Sequence, residues 1–311
     1  MFTYIQTIIT VILLAASSLL VIRQWHFKRQ LAIVTSRIEE IRNGSSNQRV
    51  RISTTKKSLN ELGGSMNRLI DDFQRSMEKV NWLESERKKM ITHLSHDLRT
   101  PLTAILGYVE FMQTDRTLTE ATRQHYLQII SSKGNKLEAL IRDFFELSKL
   151  EADDELLNTE RINIIDKIQE AILSFYHQFQ LVQLSPHLQL PEHPIYVWGN
   201  GHSIDRIMNN LLSNSLRYGV EGGMIGISVR EEDERVWIDV WDQGQGISET
   251  DLPHIFERLY TGKASRNAVQ QGNGLGLTIT KKLVEKQQGE IHVDSIPNQK
   301  TSFSFYLPKA T

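Results

Sequence analysis

Three groups of residues have types and spacings able to do chemistry. The first is "SHDLRTPL", residues 95 to 102, in which His96 is followed at once by Asp97 and, one helical turn on, by Thr100 and Pro101. An exposed imidazole beside a carboxylate can act as a neutral nucleophile, the carboxylate accepting the other ring proton as charge develops. The second is Asn210 and Asn214, four apart and so on one side of a helix. They offer two hard carbonyl oxygens, a sparse pair that suits Mg2+, which keeps waters and takes substrate phosphates as its other ligands. The third is a pair of glycine runs, "WDQGQGI" (241 to 247) and "GNGLGLTITKKLVEKQQG" (272 to 289). Asp242 can accept a hydrogen bond from an exocyclic amine such as that of adenine, while Gly244 and Gly246 let backbone approach a ligand. Gly272, Gly274 and Gly276 precede a helix whose unpaired N–H groups suit a phosphate. Each group alone is a weak signal, since a histidine beside an aspartate is usually plain surface, the reading given to His93, His125 and His177.

Composition narrows the chemistry. The 311 residues contain no cysteine, so disulfides, thiolate nucleophiles and cysteine zinc sites are excluded. No G-x-x-x-x-G-K-[ST] loop occurs, and no strand-linked G-x-G-x-x-G with an acidic residue twenty on, which leaves P-loop and Rossmann nucleotide sites unsupported. The net charge of -1 hides an excess of seven positive charges between Arg23 and Lys57. That basic stretch adjoins "TYIQTIITVILLAASSLLVI", residues 3 to 22, twenty residues without a charge and long enough to cross a bilayer as a helix. A cleaved signal peptide is the competing reading, but the stretch is longer than a usual apolar signal region and has no basic residues before it. Arg23, Lys28 and Arg29 place the chain beyond residue 23 in the cytoplasm, so the expectation is a single-pass protein of the cell membrane with two or three residues outside and no extracellular sensor domain.

The elements that must position these residues are set by periodicity. Leu31, Val34, Ile38 and Ile41 form one helical stripe ended by Asn43-Gly44, and Leu59, Leu62, Met66, Leu69 and Phe73 form a second. Two short amphipathic helices after a membrane span look like a shortened HAMP-type relay, with a basic stretch lying on anionic lipid as the alternative. From Leu83 through Met90, Leu94, Leu98, Leu102, Ile105, Val109 and Met112 a seam runs along one helix face. At about 100° per residue His96 lies some 160° from Leu94 and Leu98 and projects into water. Pro101 sits inside this helix at a cost of roughly 3 kcal/mol or more. A second helix carries Ile130, Leu137, Leu140, Phe144, Leu147 and Leu150, and because two narrow seams cannot enclose a core, the hairpin is expected to dimerise into a four-helix bundle. "RVWIDVW" reads as a half-buried strand and "SIDRIMNNLLSNSLRYG" as a helix buried through Ile204, Ile207, Met208, Leu211 and Leu212.

"SHDLRTPL" resembles the phosphoacceptor box of bacterial sensor histidine kinases, and the Asn-bearing helix with the two glycine runs resembles the Bergerat-type ATP-binding domain shared with the gyrase, Hsp90 and MutL ATPases. The resemblance spans roughly residues 80 to 309. It implies that His96 is phosphorylated with Asp97 and Thr100 as its catalytic neighbours, and that Pro101 lets the helix flex between states. It also implies that Asn214 binds Mg2+ with help from Asn210, that Arg217 faces phosphate, that Tyr218 lies against the nucleotide and that Asp242 reads adenine. Leu275 joins the glycines of the second box as a nucleotide contact. "IFERLYTGKASR" looks like the family's phenylalanine box within the ATP lid, making Phe256, Arg258 and Tyr260 lid residues and Lys263 or Arg266 phosphate contacts. Two departures stand out: Lys300 replaces a usual glycine before Thr301, and Ser215 replaces a usual alanine, a change expected to have little consequence.

The expected fold is α+β and multidomain: one transmembrane helix, an antiparallel helical hairpin forming a dimeric four-helix bundle, and an α/β sandwich of Bergerat type. Its parts are a transmembrane helix at 1–23, a HAMP-like linker at 24–75, a dimerisation and phosphoacceptor domain at 76–153 and a catalytic ATP-binding domain at 157–309. The expected protein is a homodimeric sensor histidine kinase that uses ATP and Mg2+ to phosphorylate His96. It passes the phosphoryl group to an aspartate of a separate response regulator and also dephosphorylates that regulator. The stimulus is expected to arrive through the bilayer, the juxtamembrane helices or a membrane partner such as a transporter, and no nucleic acid is involved. A Bergerat-type ATPase is the rival enzyme, but it would not need "SHDLRTPL"; an ATP-binding scaffold without transfer is the other.

Overall fold

The computed structural model describes residues 2–42, 57–115, 117–152, 157–262 and 273–310, arranged in two compact units, Met1–Lys88 and Lys89–Thr311. In the first unit, helix α1 (Phe2–Arg42) includes the stretch Tyr4–Ile33, which has a mean hydropathy of 2.4 and none of its apolar window buried. The expected link at 43–56 lies outside the described residues. Helix α2 (Lys57–Thr114) then runs for 58 residues without interruption. The expected separate helix ending near residue 75 is therefore not closed off there, and the boundary drawn at 75/76 falls inside α2. No glycine or proline occurs between Ser65 and Thr100 to end a helix, and Gly63-Gly64, at about 1 kcal/mol each, weakens α2 without breaking it.

In the second unit α2 and α3 (Glu120–Glu151) form the hairpin, α3 being capped by the Thr119 hydroxyl, which accepts from Thr122 N–H at 3.2 Å. Next along the chain come β1 (Glu160–Asn163), α4 (Ile164–Ser174), α5 (Tyr176–Leu181), β2 (His187–Gln189), β3 (Tyr196–Gly199), α6 (Gly201–Tyr218), β4 (Ile225–Glu232), β5 (Arg235–Asp242), α7 (Gly276–Lys286), β6 (Glu290–Ile296) and β7 (Lys300–Pro308). Five strands form a mixed sheet in the order β2-β4-β5-β7-β6, parallel only between β2 and β4, and β1 pairs with β3 in a small antiparallel ladder. Strand alternation decides the layers: Val236, Ile238 and Val240 of β5 are fully buried, along with Ile204, Ile207, Met208, Leu211 and Leu212 of α6 and Ile279 and Val284 of α7. Each such side chain contributes about 1.5–3 kcal/mol. The helices thus cover one sheet face, and Asp242, at the end of β5 and in phase with Val240, is carried to that same face.

The hairpin also packs against this domain. Leu140, Leu147 and Leu150 of α3 are buried in the same core cluster, and Leu94 and Leu98 of α2 lie against it. Leu102, Leu106, Val109, Ile141 and Phe145, by contrast, are exposed. Of the expected stripes, the α3 end at Leu140, Leu147 and Leu150 is covered by the α/β domain, while Leu102 and Val109 of α2 are exposed.

Candidate active site

A cavity of about 1140 Å³ lies between the hairpin and the α/β domain. Its hairpin wall includes His96, Asp97, Thr100 and Pro101, and its opposite wall Asn210, Asn214, Arg217, Tyr218 and Asp242, with Gly246, Tyr260, Gly274 and Gly276 at the remaining edges. Most of the residues singled out in the sequence are thus brought to one space.

The His96 side chain is 77% exposed and its Nδ1 lies 3.2 Å from Asp97 Oδ1. With the proton on Nδ1 donated to this carboxylate, Nε2 keeps its lone pair, the form a nucleophile needs. Pro101 is buried and α2 continues through it, although the Asp97 carbonyl has lost its usual N–H partner at that position. The Thr100 hydroxyl donates to the His96 carbonyl at 3.2 Å. Its lone pairs remain able to accept from a water.

Across the cavity the two asparagines differ. Asn210 donates both amide hydrogens to α7, to the Gly276 carbonyl at 2.9 Å and Thr280 Oγ1 at 3.1 Å, so it ties α6 to α7 and can offer a cation only its oxygen. The Asn214 side chain makes no hydrogen bond to the described residues, leaving its amide free to meet a ligand. Among the described residues no cluster of three His, Asp or Glu could hold a metal, so a cation here would depend on amide oxygen and on the substrate's own phosphates, the donor set Mg2+ accepts.

Asp242 is 4% exposed and accepts from Gly244 N–H at 3.0 Å. Burial pushes its carboxyl up from the ordinary value of 3.8; the Gly244 N–H opposes this, as does more weakly the Ser215 hydroxyl, which falls short of hydrogen-bond geometry. Ser215 is therefore not the trivial replacement expected, because it buries a hydroxyl with no protein partner beside the carboxylate. Ser215 does not line the cavity, whereas Asp242 does, so the carboxylate is the acceptor open to a ligand such as an adenine edge.

Since the folded protein holds the Asp242 proton more tightly than the unfolded chain, its buried charge costs stability above the raised pKa, a cost that disappears as pH falls below 3.8. An adenine amine is accepted more strongly by the ionised form. Nucleotide affinity is accordingly expected to be flat near neutral pH and to fall as pH drops through a carboxyl pKa lying above 3.8. Asp242→Asn should bind more weakly at neutral pH and lose this dependence. A fluorescent ATP analogue titrated into both proteins across the range checks it, the comparison cancelling the titration of the phosphates.

Several expected contacts lie elsewhere. Gly244 is packed against α6, where an added Cβ would sit 2.0 Å from the Tyr218 carbonyl, so its role is close packing rather than approach to a ligand. Leu275 is a core residue, 1% exposed. Arg258 pairs with Glu151 at the end of α3 at 2.8 Å, and Phe256 packs on the core, edge-on to Phe303. Neither of these two faces the cavity: the apolar ring is drawn to the core, and the guanidinium to a carboxylate held up in pKa by burial and countered by Arg258 itself. Tyr260 does reach the cavity and donates to Asp251 at 2.6 Å. Gly274 adopts φ +67° where an added Cβ would lie 2.6 Å from the Leu259 backbone; Leu259 N–H donates to the Gly274 carbonyl, closing the base of the lid. Lys263, Arg266 and Gly272 lie outside the described residues. Lys300 stands over the Trp241 ring on the other sheet face, while Thr301 lines the cavity.

Sequence patterns alone did not point to the contacts that hold the two walls together. Arg206 of α6 pairs with Asp143 and Glu146 of α3, and Asn273 donates to the second oxygen of Asp143. The available signal was Asp143 itself, an acid within the apolar stripe of Leu140 and Leu147.

A helical hairpin presenting an exposed histidine to an ATP-type α/β site is the build of a protein-histidine kinase. Residues 86–153 match the His Kinase A (phospho-acceptor) domain, and residues 199–311 the histidine kinase-, DNA gyrase B- and HSP90-like ATPase. The chain is 37% identical over 281 residues to the sensor histidine kinase YcbM of Bacillus subtilis strain 168, covering 90% of each, and 31% identical over 228 residues to WalK of the same organism, covering 73% of this chain and 37% of that one. Two solved structures share the fold: the histidine kinase ThkA in complex with the response regulator TrrA, with a TM-score of 0.60, 22% identity and coverage of 77% and 66%, and AdeS of Acinetobacter baumannii, with a TM-score of 0.54, 23% identity and coverage of 70% and 98%. The chain belongs to the sensor histidine kinases of bacterial two-component systems, enzymes that use ATP to phosphorylate a histidine.

Proposed function

We propose that this kinase phosphorylates His96 within one protomer, using ATP held by Asn214, Arg217, Tyr218 and Asp242 of the same chain. The observation that supports this reading is the single cavity that His96 shares with those residues. Asp242 orients adenine, the start of α7 and Arg217 receive the phosphates, and Asn214, assisted by the Asn210 oxygen, holds Mg2+. Bound there, Mg2+ would neutralise phosphate charge. His96 Nε2 attacks the γ-phosphorus as the bond to the ADP oxygen breaks, ADP keeps that electron pair, and Asp97 holds the Nδ1 proton as positive charge grows on the ring. The exposed apolar residues at the tip half of the hairpin support a dimer closed by a second copy.

The phosphoryl group then passes to an aspartate of a response regulator, a partner class supported by the ThkA complex. We place the protein in the cell membrane through the apolar part of α1, with its basic flank and catalytic parts in the cytoplasm and a membrane protein such as a transporter as the source of its signal.

Thr100 separates the forward and reverse activities. Its hydroxyl proton is given to the His96 carbonyl, so its lone pairs can hold a water against a regulator's phosphoaspartate. Thr100→Ala should keep autophosphorylation within a few-fold, lose regulator dephosphorylation and change folding by about 0.5 kcal/mol or less. The experiment follows acid-labile label on the full-length protein and then decay of the purified phosphorylated regulator. Absence of any such label on wild type would remove the functional reading, whereas equal decay rates would remove only the role of Thr100.

A further inference from the structure

Helix α3 contributes two cations to the cavity, Lys133 and Lys136. Their placement is unusual for a helix surface. They stand one turn apart, and the residues three and four away are Ile129, Ile130, Leu137, Ser132, Ala139 and Leu140, none of them acidic. Like charges at this spacing disfavour a helix slightly, and neither lysine has a carboxylate partner among the described residues. Nearby cations differ: Arg142 pairs with Glu138, and Arg206 with Asp143 and Glu146. Both lysines are exposed residues on the hairpin wall of the cavity, the wall that also carries His96, and neither is held by an ion pair among the described residues.

We propose that Lys133 and Lys136 bind the phosphoryl group during its passage from ATP to His96. The inference rests on the assignment of His96 and the nucleotide site under Proposed function. As the bond from the γ-phosphorus to the ADP oxygen breaks and the bond to Nε2 forms, the three outer oxygens of the moving group keep their negative charge while leaving the cations that hold ADP. Arg217 lies on the wall formed by the α/β domain; Lys133 and Lys136 would supply the compensating charge on the wall that carries His96. Lysine suits this duty, because a compact charge on a flexible stem can follow a moving group. Belonging to the hairpin and not to the nucleotide domain, the two lysines act on transfer and leave ATP binding unchanged.

The test uses the full-length protein in lipid nanodiscs with Mg-ATP, comparing wild type, the double variant K133Q/K136Q and the double variant K133R/K136R. The glutamine pair is expected to lower the kcat of autophosphorylation on the order of 10- to 100-fold. KM for ATP should stay within about two-fold, and the arginine pair should recover most of the rate, since charge and not shape is required. Three results would overturn the proposal: a glutamine pair with wild-type kcat, a raised KM with unchanged kcat, or a loss that arginine does not restore. Normal autophosphorylation in the glutamine variant together with slower transfer to a regulator would likewise overturn it, assigning the lysines to partner docking. In all of these, label on His96 shows that the underlying assignment still stands, whereas label that persists in His96→Ala removes the assignment itself.

Discussion

Full-length protein carrying His96→Ala takes up no acid-labile, alkali-stable phosphate from Mg-ATP. This is the largest effect expected of any single change, a loss of at least about 1000-fold, because the substitution removes the imidazole nitrogen proposed to form the phosphorus–nitrogen bond. Folding and nucleotide binding should be untouched, since the side chain is 77% exposed and its one polar contact is to its neighbour Asp97. A fluorescent ATP analogue should therefore bind the variant as it binds wild type. His93, three residues before, is the internal control: it lies on the same helix but not on the cavity. Label that survives in the variant, or that maps to His93, would refute the assignment.

Asn214→Ala comes second in size. The Asn214 side chain has no hydrogen bond to the described residues, so its loss breaks no side-chain contact, and α6 should keep its buried face. On the proposed reading it would lose an oxygen for Mg2+, a contribution of several kcal/mol to transition-state charge and so about 100-fold or more in rate. Asn210→Ala should behave differently, costing stability as well as rate, because its amide joins α6 to α7. Mixed dimers of one His96→Ala chain and one Asn214→Ala chain then distinguish the route. Transfer within a protomer leaves such a dimer silent, each chain lacking one half of the site. Label on the Asn214→Ala chain would mean that phosphate crosses between protomers.

The docking of the α/β domain on α3 bears on both results. Asp143 accepts from Arg206 and from Asn273, which stands at the end of the lid beside Gly274. Arg258 and Glu151 add a second tie at the other end of the lid. The hairpin and the α/β domain are therefore joined by contacts that do not involve the reacting groups.

Local chemistry was readable from the chain alone where one residue's own properties decided it. His96 projects from its seam because helix geometry puts it opposite Leu94 and Leu98, and Asp242 faces the helices because strand alternation puts it in phase with Val240. The hairpin, the α6 helix and the β5 strand were legible for the same reason, each carrying a period of apolar residues that admits one conformation. Tertiary structure decided everything that depends on which surfaces meet. Gly244 and Gly246 look alike in the sequence, yet one packs against Tyr218 and the other lines the cavity. Asn210 and Asn214 share a helix side, yet only Asn210 is drawn to α7. Arg258 sits in a lid motif but pairs with a glutamate more than a hundred positions earlier, and Lys133 and Lys136 border a site to which no local pattern connects them. A helix or strand period is set by neighbours along the chain, whereas the partner of a charge or amide is set by whichever distant element packing brings within about 3 Å, and that distance is absent from the order of the residues.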